Sequence, residues 1–379
     1  MDTVVYVSPH TDQYGAERSM IANIKNVKAH GIGVLLIIPR HGRIEELLKE
    51  NNIDYIVEKF FDVINHENRI RLHYGVAKYI VNSYKARKIN RILKKKGINP
   101  VLVHSNSLTS DFGIILSELL KIPHIQHIRE LGEYDFGMTF DMGIDHFSKI
   151  CSRSKSIICI SDAVMNYYRQ YLPIEKMVRI YNGVQANSIV PSYTTRDVSE
   201  PLQLVMVGRL SDEKGQMQAI KAVEILKARF PIRLDLWGDG VNKDEYATYI
   251  SENGLGSIVS LCGYSQNIPY EKYHAALTCS KYEAFGRVTV EYMFAGLPAI
   301  GSNKGGTAEI ILDGVTGFLY KQGNIADLAQ KIEHIYSNEK TRIEMGRAGR
   351  KRAEEQFSEK AYCDKVYQEY KKVCENVKW

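Results

Sequence analysis

Within its 379 residues the chain has no apolar run near the ~20 that would span a bilayer; VLLIIP at 34–39 is only strand-length. No signal peptide opens it, so a cytoplasmic protein is expected. It has no CxxC: the six cysteines (151, 159, 262, 279, 363, 374) are scattered, which argues against a disulfide framework and for free thiols in a reducing compartment. Low-complexity tracts are absent, and 44% hydrophobic with 25% charged residues is a globular composition. A large charge of one sign is missing too: the net charge is +6, and no nucleic-acid partner is expected. Length is what the chain does have. Single cores stop growing near ~250–300 residues, so two domains are the expectation.

The positive charge is unevenly spread. In RIRLHYGVAKYIVNSYKARKINRILKKKG (69–97), Lys85, Arg87, Lys88, Arg91 and Lys94 to Lys96 crowd the second half. Two readings stand side by side: a solvated helix face, or a docking face for anionic lipid or an anionic acceptor.

Short β-branched runs alternate with amphipathic helices. In the first half the strands are TVVYVSP (3–9), GVLLIIP, IDYIVEKF, PVLVHSN (100–106), PHIQHIRE (123–130) and SIICISD (156–162). Their continuous apolar character predicts burial on both faces, and the alternation predicts a parallel, doubly wound sheet. A polar stretch, 186–201, reads as a linker. A second series follows: LQLVMVGRL (202–210), IRLDLWGDG (232–240), IVSLCGY (258–264), HAALTCS (274–280), a helix from about Arg287, PAIGSNKGG (298–306) and GFLY (317–320). The expected domains are 1–185 and 202–357, with a helical tail, 358–379, that crosses back to the first domain. The fold class is α/β, two Rossmann-like domains facing across a cleft. Ligands of open α/β sheets bind at the carboxyl ends of the strands.

In SKYEAFGRVTVEYMFAG (280–296), a strand runs into a loop with Glu283, and a helix follows with Glu291. The amides of Phe285, Gly286, Arg287 and Val288 stand at the helix start, where an anion is favoured. A carboxylate beside phosphates would repel them, so Glu291 suits ribose hydroxyls and Glu283 the hydroxyls of a sugar. Alone, the pair also reads as a capping and a solvated glutamate. The neighbours decide. After the strand at 202–207, Gly208 and Arg209 form a turn and Lys214 follows; a planar fork and a point charge both suit a diphosphate. Gly305 and Gly306 give a turn that lets backbone approach a ligand. In the first half, Gly15 sits at a strand-to-helix junction. His104, Asn106 and Arg129, at strand ends, are candidate acceptor contacts. His127 alone reads as a satisfied strand-end histidine, and His124 with His127 as a metal pair lacking a third ligand.

Together GRLSDEKG, WGDG, GYSQN, EAFGRVTVEYMFAGLPAIGS, GGTAEII and DGVTGFL, with YGAERS, HIRE and ISDAV…IYNGV before them, resemble the large retaining glycosyltransferase family called group 1, built on the GT-B fold. The resemblance covers essentially the whole chain and is strongest from 202 to 320. It implies that Arg209 and Lys214 clamp the donor diphosphate. Glu291 binds the ribose, and Glu283 lies near the donor sugar. The amides of Phe285, Gly286, Arg287 and Val288 hold sugar hydroxyls and phosphate, and Gly15 approaches the phosphate. Gly208 and Gly238 line the donor site, and Tyr264, beside Gly263, lies near the base. His127 reaches the donor sugar near the reacting carbon. Two positions depart from the pattern: Ala284 stands where the first glycine of GFG is common, and Tyr292 where alanine usually follows the second glutamate.

The implied activity is a retaining, hexosyl-type transfer from a nucleoside-diphosphate-sugar, UDP-sugar favoured. The acceptor is a glycan, lipid-linked or protein acceptor in cell-surface polysaccharide or glycoconjugate synthesis. No cofactor and no metal are expected, since no D-x-D pair appears. Domain closure would exclude water from the donor. The site would lie in the cytoplasm, or at the inner face of the cell membrane if the basic segment docks there. The rival readings are a non-catalytic GT-B subunit supporting a partner glycosyltransferase, and a GT-B enzyme of another reaction type, such as an epimerase or a phosphorylase.

Overall fold

A computed structural model describes residues 1–67, 69–132, 134, 137–186, 189, 191, 193, 200–375 and 377. Most of the expected linker, 187–188, 190, 192 and 194–199, lies outside the described residues. The chain divides into two compact units, one of Met1–Gly183 with Glu359–Trp379, the other of Val184–Ser358.

The first unit is built on strands β1 (Asp2–Val7), β2 (Gly33–Ile38), β3 (Tyr55–Val57), β5 (Asn99–Ser105), β6 (His124–Ile128), β8 (Ser156–Cys159) and β9 (Met177–Arg179). They form one sheet in the order β3-β2-β1-β5-β6-β8-β9, with every pairing parallel. The sequence reading did not include β9, nor the small antiparallel pair β4 (Ile64–Asn65) and β7 (Thr139–Phe140), because runs of two or three residues carry no periodicity. Strand alternation explains the continuous apolar runs. Val4 and Tyr6 face one core and Val5 and Val7 the other, as Leu36 and Ile38 face away from Leu35 and Ile37. Each such side chain contributes about 1.5–3 kcal/mol by burial. The last helix, Glu359–Val373, belongs to this unit. Its Tyr362, Val366, Tyr367, Tyr370 and Val373 join the same apolar cluster as Val4, Tyr6 and Ile24.

The second unit has strands β10 (Leu202–Val207), β11 (Ile232–Trp237), β12 (Val259–Gly263), β13 (Ala275–Thr278), β14 (Ala299–Ser302) and β15 (Gly317–Tyr320). Their order is β12-β11-β10-β13-β14-β15, again all parallel. The order reverses between β10 and β13. Chain leaving β10 turns one way and chain leaving β13 the other, which opens a crevice at the carboxyl ends of these two strands. One helix, Arg287–Phe294, starts at that end directly after β13.

Candidate functional site

The loops after β10, β11, β13 and β14 meet at the carboxyl edge of the second sheet, and backbone fixes them to one another. Gly208 N–H donates to the Trp237 carbonyl at 2.9 Å, Gly238 N–H to that of Gly263 at 2.8 Å and Leu210 N–H to that of Asp239 at 3.0 Å. The approach is so close that a Cβ on Gly238 would stand 1.9 Å from the Gly208 carbonyl oxygen. On the other side of the crevice, Gly306 N–H donates to the Glu283 carbonyl at 2.8 Å. A Cβ on Gly306 would stand 2.3 Å from the Phe285 carbonyl oxygen. Only glycine fits at these two positions, so the turns read from the sequence hold backbone against backbone.

Charged side chains project from this framework. The Arg209 carbonyl is fixed by the Gln216 amide at 2.8 Å, whereas its side chain is 57% exposed and, among the described residues, reaches only a long contact with Glu213, at 3.8 Å. Lys214 Nζ lies 2.6 Å from Glu283 Oε1, which also accepts from the Ser280 hydroxyl at 2.7 Å. The expected phosphate lysine and sugar carboxylate are thus partners of each other. Phe285 is buried, Gly286 starts the helix that carries Arg287, Val288 and Glu291, and the first-turn amides lie at this end of the sheet. Glu291 accepts from the Tyr270 hydroxyl at 3.4 Å. Tyr264 stands 73% exposed just past β12, at the edge of the sheet.

Tyr292, the departure from the family pattern, has a defined place. It is fully buried, and its hydroxyl accepts the Val207 N–H at 2.7 Å. Pairing of β10 with β13 ends at Val205, so Val207 lies where that neighbour has turned away. Tyr292 supplies the acceptor there, immediately before Gly208 and Arg209. Its ring meets Tyr270 edge-on at 5.8 Å, which ties the Arg209 turn to the Glu291 helix. Glu291 gives part of the reason why burial pushes the Tyr270 hydroxyl up, so Tyr270 stays a hydrogen-bond donor.

In the first unit Gly15 begins the helix Gly15–Ala29 after β1. The structure places His104, Asn106 and Arg129, the expected acceptor contacts, in the interior of the unit. All three are buried and bonded to one another or to the unit's own elements. Arg129 donates to Asn106 Oδ1 at 3.0 Å and to the Tyr362 hydroxyl at 3.1 Å, and it also bonds Asn182 Oδ1. His104 Nε2 lies 3.1 Å from His127 Nδ1, and its Nδ1 is bonded to the Tyr370 hydroxyl. Asn23 Nδ2 donates to Tyr370 at 2.7 Å and to Tyr6 at 3.0 Å. Asn23, Tyr362 and Tyr370 are absent from the sequence reading, and Asn182 stands in IYNGV without a role. Their hydroxyls and amides reach the strands across as many as 364 positions of chain, a distance over which no local pattern operates.

This network fixes His127. An Arg129 nitrogen lies 3.4 Å from His127 Nδ1 and can only donate, so Nδ1 accepts and the ring proton sits on Nε2. His104 then donates through Nε2. Burial, with the guanidinium of Arg129 beside them, holds both histidines well below their usual range, so both are neutral. His127 Nε2 is buried without a hydrogen-bond partner among the described residues, an exception to the rule that buried polar atoms are satisfied. His124 faces elsewhere: its nitrogens bond the Ser105 and Ser154 hydroxyls at 2.8 and 2.9 Å, so it forms no ligand pair with His127.

Residues 195–352 match the family model for glycosyl transferases group 1, and residues 14–188 that for glycosyltransferase family 4. An uncharacterized glycosyltransferase of Methanocaldococcus jannaschii is 28% identical over 319 residues, 83% of this chain and 85% of that protein. Among solved structures, Anabaena HepE in complex with UDP superposes with a TM-score of 0.79 at 20% identity, covering 98% of this chain and 100% of that one. A glycosyltransferase from Rickettsia africae gives a TM-score of 0.82 at 20% identity, covering 99% of each chain. The fold is the two-domain α/β architecture of the GT-B class.

Proposed function

We propose, for a chain that is a glycosyltransferase with a group 1 domain in its second half and a family 4 domain in its first, that it transfers a sugar from a nucleoside-diphosphate donor with retention at the anomeric carbon. The observation that carries this reading is the crevice between β10 and β13, where Arg209, Lys214, Glu283 and Glu291 converge on a helix start. The diphosphate takes Arg209 and the first-turn amides. Lys214 divides its charge between Glu283 and phosphate, and Glu291 accepts from the ribose. UDP is the favoured nucleotide, because HepE, which shares the fold, is described with it. The transfer is hexosyl-type, to a glycan, lipid-linked or protein acceptor in cell-surface polysaccharide or glycoconjugate synthesis.

As the glycosidic bond breaks, negative charge grows on the leaving phosphate, and preorganised cations and amides stabilise it. Neither metal nor cofactor is assigned a part in this reading. The acceptor hydroxyl attacks on the face the phosphate leaves, and its proton passes to that phosphate. His127, buried in the first unit, is given the role of a neutral Nε2–H donor to a ligand hydroxyl. It serves as a hydrogen-bond donor and not as an acid, since its ring stays unprotonated. The test is incubation with UDP-sugars and oligosaccharide or polyprenyl-phosphate acceptors, reading the new anomeric centre by NMR. Product with the donor's configuration supports the reading. An inverted product removes retention; UDP binding without turnover of any donor would favour a non-catalytic subunit.

A further inference from the structure

The helix Leu72–Lys95 contains no acidic residue in 24 positions. Gly75, Asn82, Ala86, Ile89 and Leu93 face the unit's interior. On the opposite face, Val76, Ile80 and Tyr84 follow one another at four-residue spacing and so form one stripe. They are 43%, 62% and 59% exposed, and Ile70, Leu72 and Tyr74 at the start of the helix are exposed as well. Beyond Tyr84 the same face turns cationic. Arg87, Arg91, Lys94, Lys95 and Lys96 are exposed, and none has a carboxylate partner among the described residues. Other cations of this helix have carboxylate partners: Lys78 pairs with Asp141, and Lys85 and Lys88 share Glu58.

This arrangement separates the two readings of the basic segment. A solvated face would set polar side chains outward throughout, whereas six large apolar side chains standing out within fifteen residues form a patch of the kind that marks an interaction site. We infer that the outer face of this helix docks on an anionic lipid bilayer, lying in the interface and not crossing it. A bilayer interface offers an apolar layer and negative headgroups next to each other, in the order the helix presents apolar and cationic halves. Tyr74 and Tyr84 pair an apolar ring with a polar tip, the chemistry suited to that depth. No described helix is long and apolar enough to span a membrane. A second copy of the chain fits the face poorly, since two-fold pairing would bring the same unpaired cations together. The inference stands apart from the reading of the donor site and goes beyond it.

The test is co-sedimentation of the full chain with phosphatidylcholine vesicles, with and without 30% phosphatidylglycerol. Two variants accompany it: Ile80→Ser with Tyr84→Ser, and Arg91→Gln with Lys94→Gln and Lys95→Gln. These positions are exposed and lie outside the donor site, so matching melting curves will show that folding is intact. Wild type is expected to bind the anionic vesicles at least tenfold better than the neutral ones. Removing three charges should weaken that binding on the order of 100-fold, and the apolar variant should weaken it at least tenfold. Absence of binding to anionic vesicles, or binding that neither variant changes, would overturn the inference. So would a dimer in solution that the apolar variant dissociates while vesicle binding is nil.

Discussion

Arg209 and Lys214 were read as one clamp, and the structure gives them different freedom. Among the described residues Arg209 has only a long contact to Glu213, and more than half its side-chain surface lies in water, so it can turn to a ligand at little cost. Lys214 must share itself with Glu283. If Arg209 meets charge that grows only as the bond breaks, Arg209→Ala should lower kcat more than it raises donor KM, by about 2–4 kcal/mol in the transition state. Arg209→Lys should recover only part, because an ammonium lacks the fork. Steady-state kinetics decide this, and a change confined to KM would place Arg209 in ground-state binding alone. His127 offers a second test. Removing its imidazole should cut turnover roughly 100-fold while the Kd for UDP stays the same. Tyr370→Phe should give a milder loss, with His127, held by Arg129, keeping its single tautomer in histidine ¹⁵N spectra. Unchanged turnover in His127→Ala would take the residue out of the mechanism.

Among the elements, β10, its following turn and the helix Arg287–Phe294 act as one piece because Tyr292 bonds the Val207 N–H. Tyr292→Phe keeps the ring packing and deletes that acceptor, leaving a buried N–H unpaired, at a cost of about 1–3 kcal/mol. The expected result is a lower Tm with weaker UDP binding, both measurable in one thermal-shift titration; a lower Tm with an unchanged UDP shift would separate Tyr292 from the site. The sequence pointed to Tyr292 only as a departure, since nothing in its spacing says which backbone group a tyrosine reaches. By contrast, β10, β13 and the two glutamates were legible, because turn glycines, apolar runs and helix start fall within a few residues of each other. The partners of the strand-end residues His104, Asn106 and Arg129 were not legible for a physical reason: a polar side chain at a strand end looks the same in sequence whether it faces a ligand or a partner from a distant helix. The helix Leu72–Lys95 shows the same limit. Its charges were plain, but the outward turn of Ile80 and Tyr84 follows from what Asn82, Ala86 and Ile89 pack against.

At the scale of the molecule, the first unit carries three buried neutral histidines, His104, His124 and His127, with His124 pulled down to about 3 by burial. Unfolded, each takes up a proton below about 6.5. Between those limits the unfolded chain binds more protons, so stability falls as pH drops from about 6.5 toward 3. Glu17, Asp62 and Asp111 oppose this, because burial raises their carboxyls, that of Asp111 to about 6, and each binds its proton earlier in the folded chain. The histidine shifts are the larger, and the urea midpoint should be lower at pH 5 than at pH 7; a midpoint that rises on acidification would contradict the assignment. The division into two units was legible from length and the repeated strand–helix alternation. The identity of the tyrosines that Glu359–Val373 brings to His104 was not. The central claim is that the β10–β13 crevice of the second unit seats a nucleoside diphosphate through protein cations. Calorimetric titration of the full chain with UDP and with uridine, in EDTA, tests it most directly. The account expects UDP to bind at least 100-fold more tightly than uridine, and the Arg209→Ala, Lys214→Ala double variant to lose that difference. Equal affinity for UDP in wild type and double variant, or binding that appears only when Mg²⁺ or Mn²⁺ is added, would contradict it.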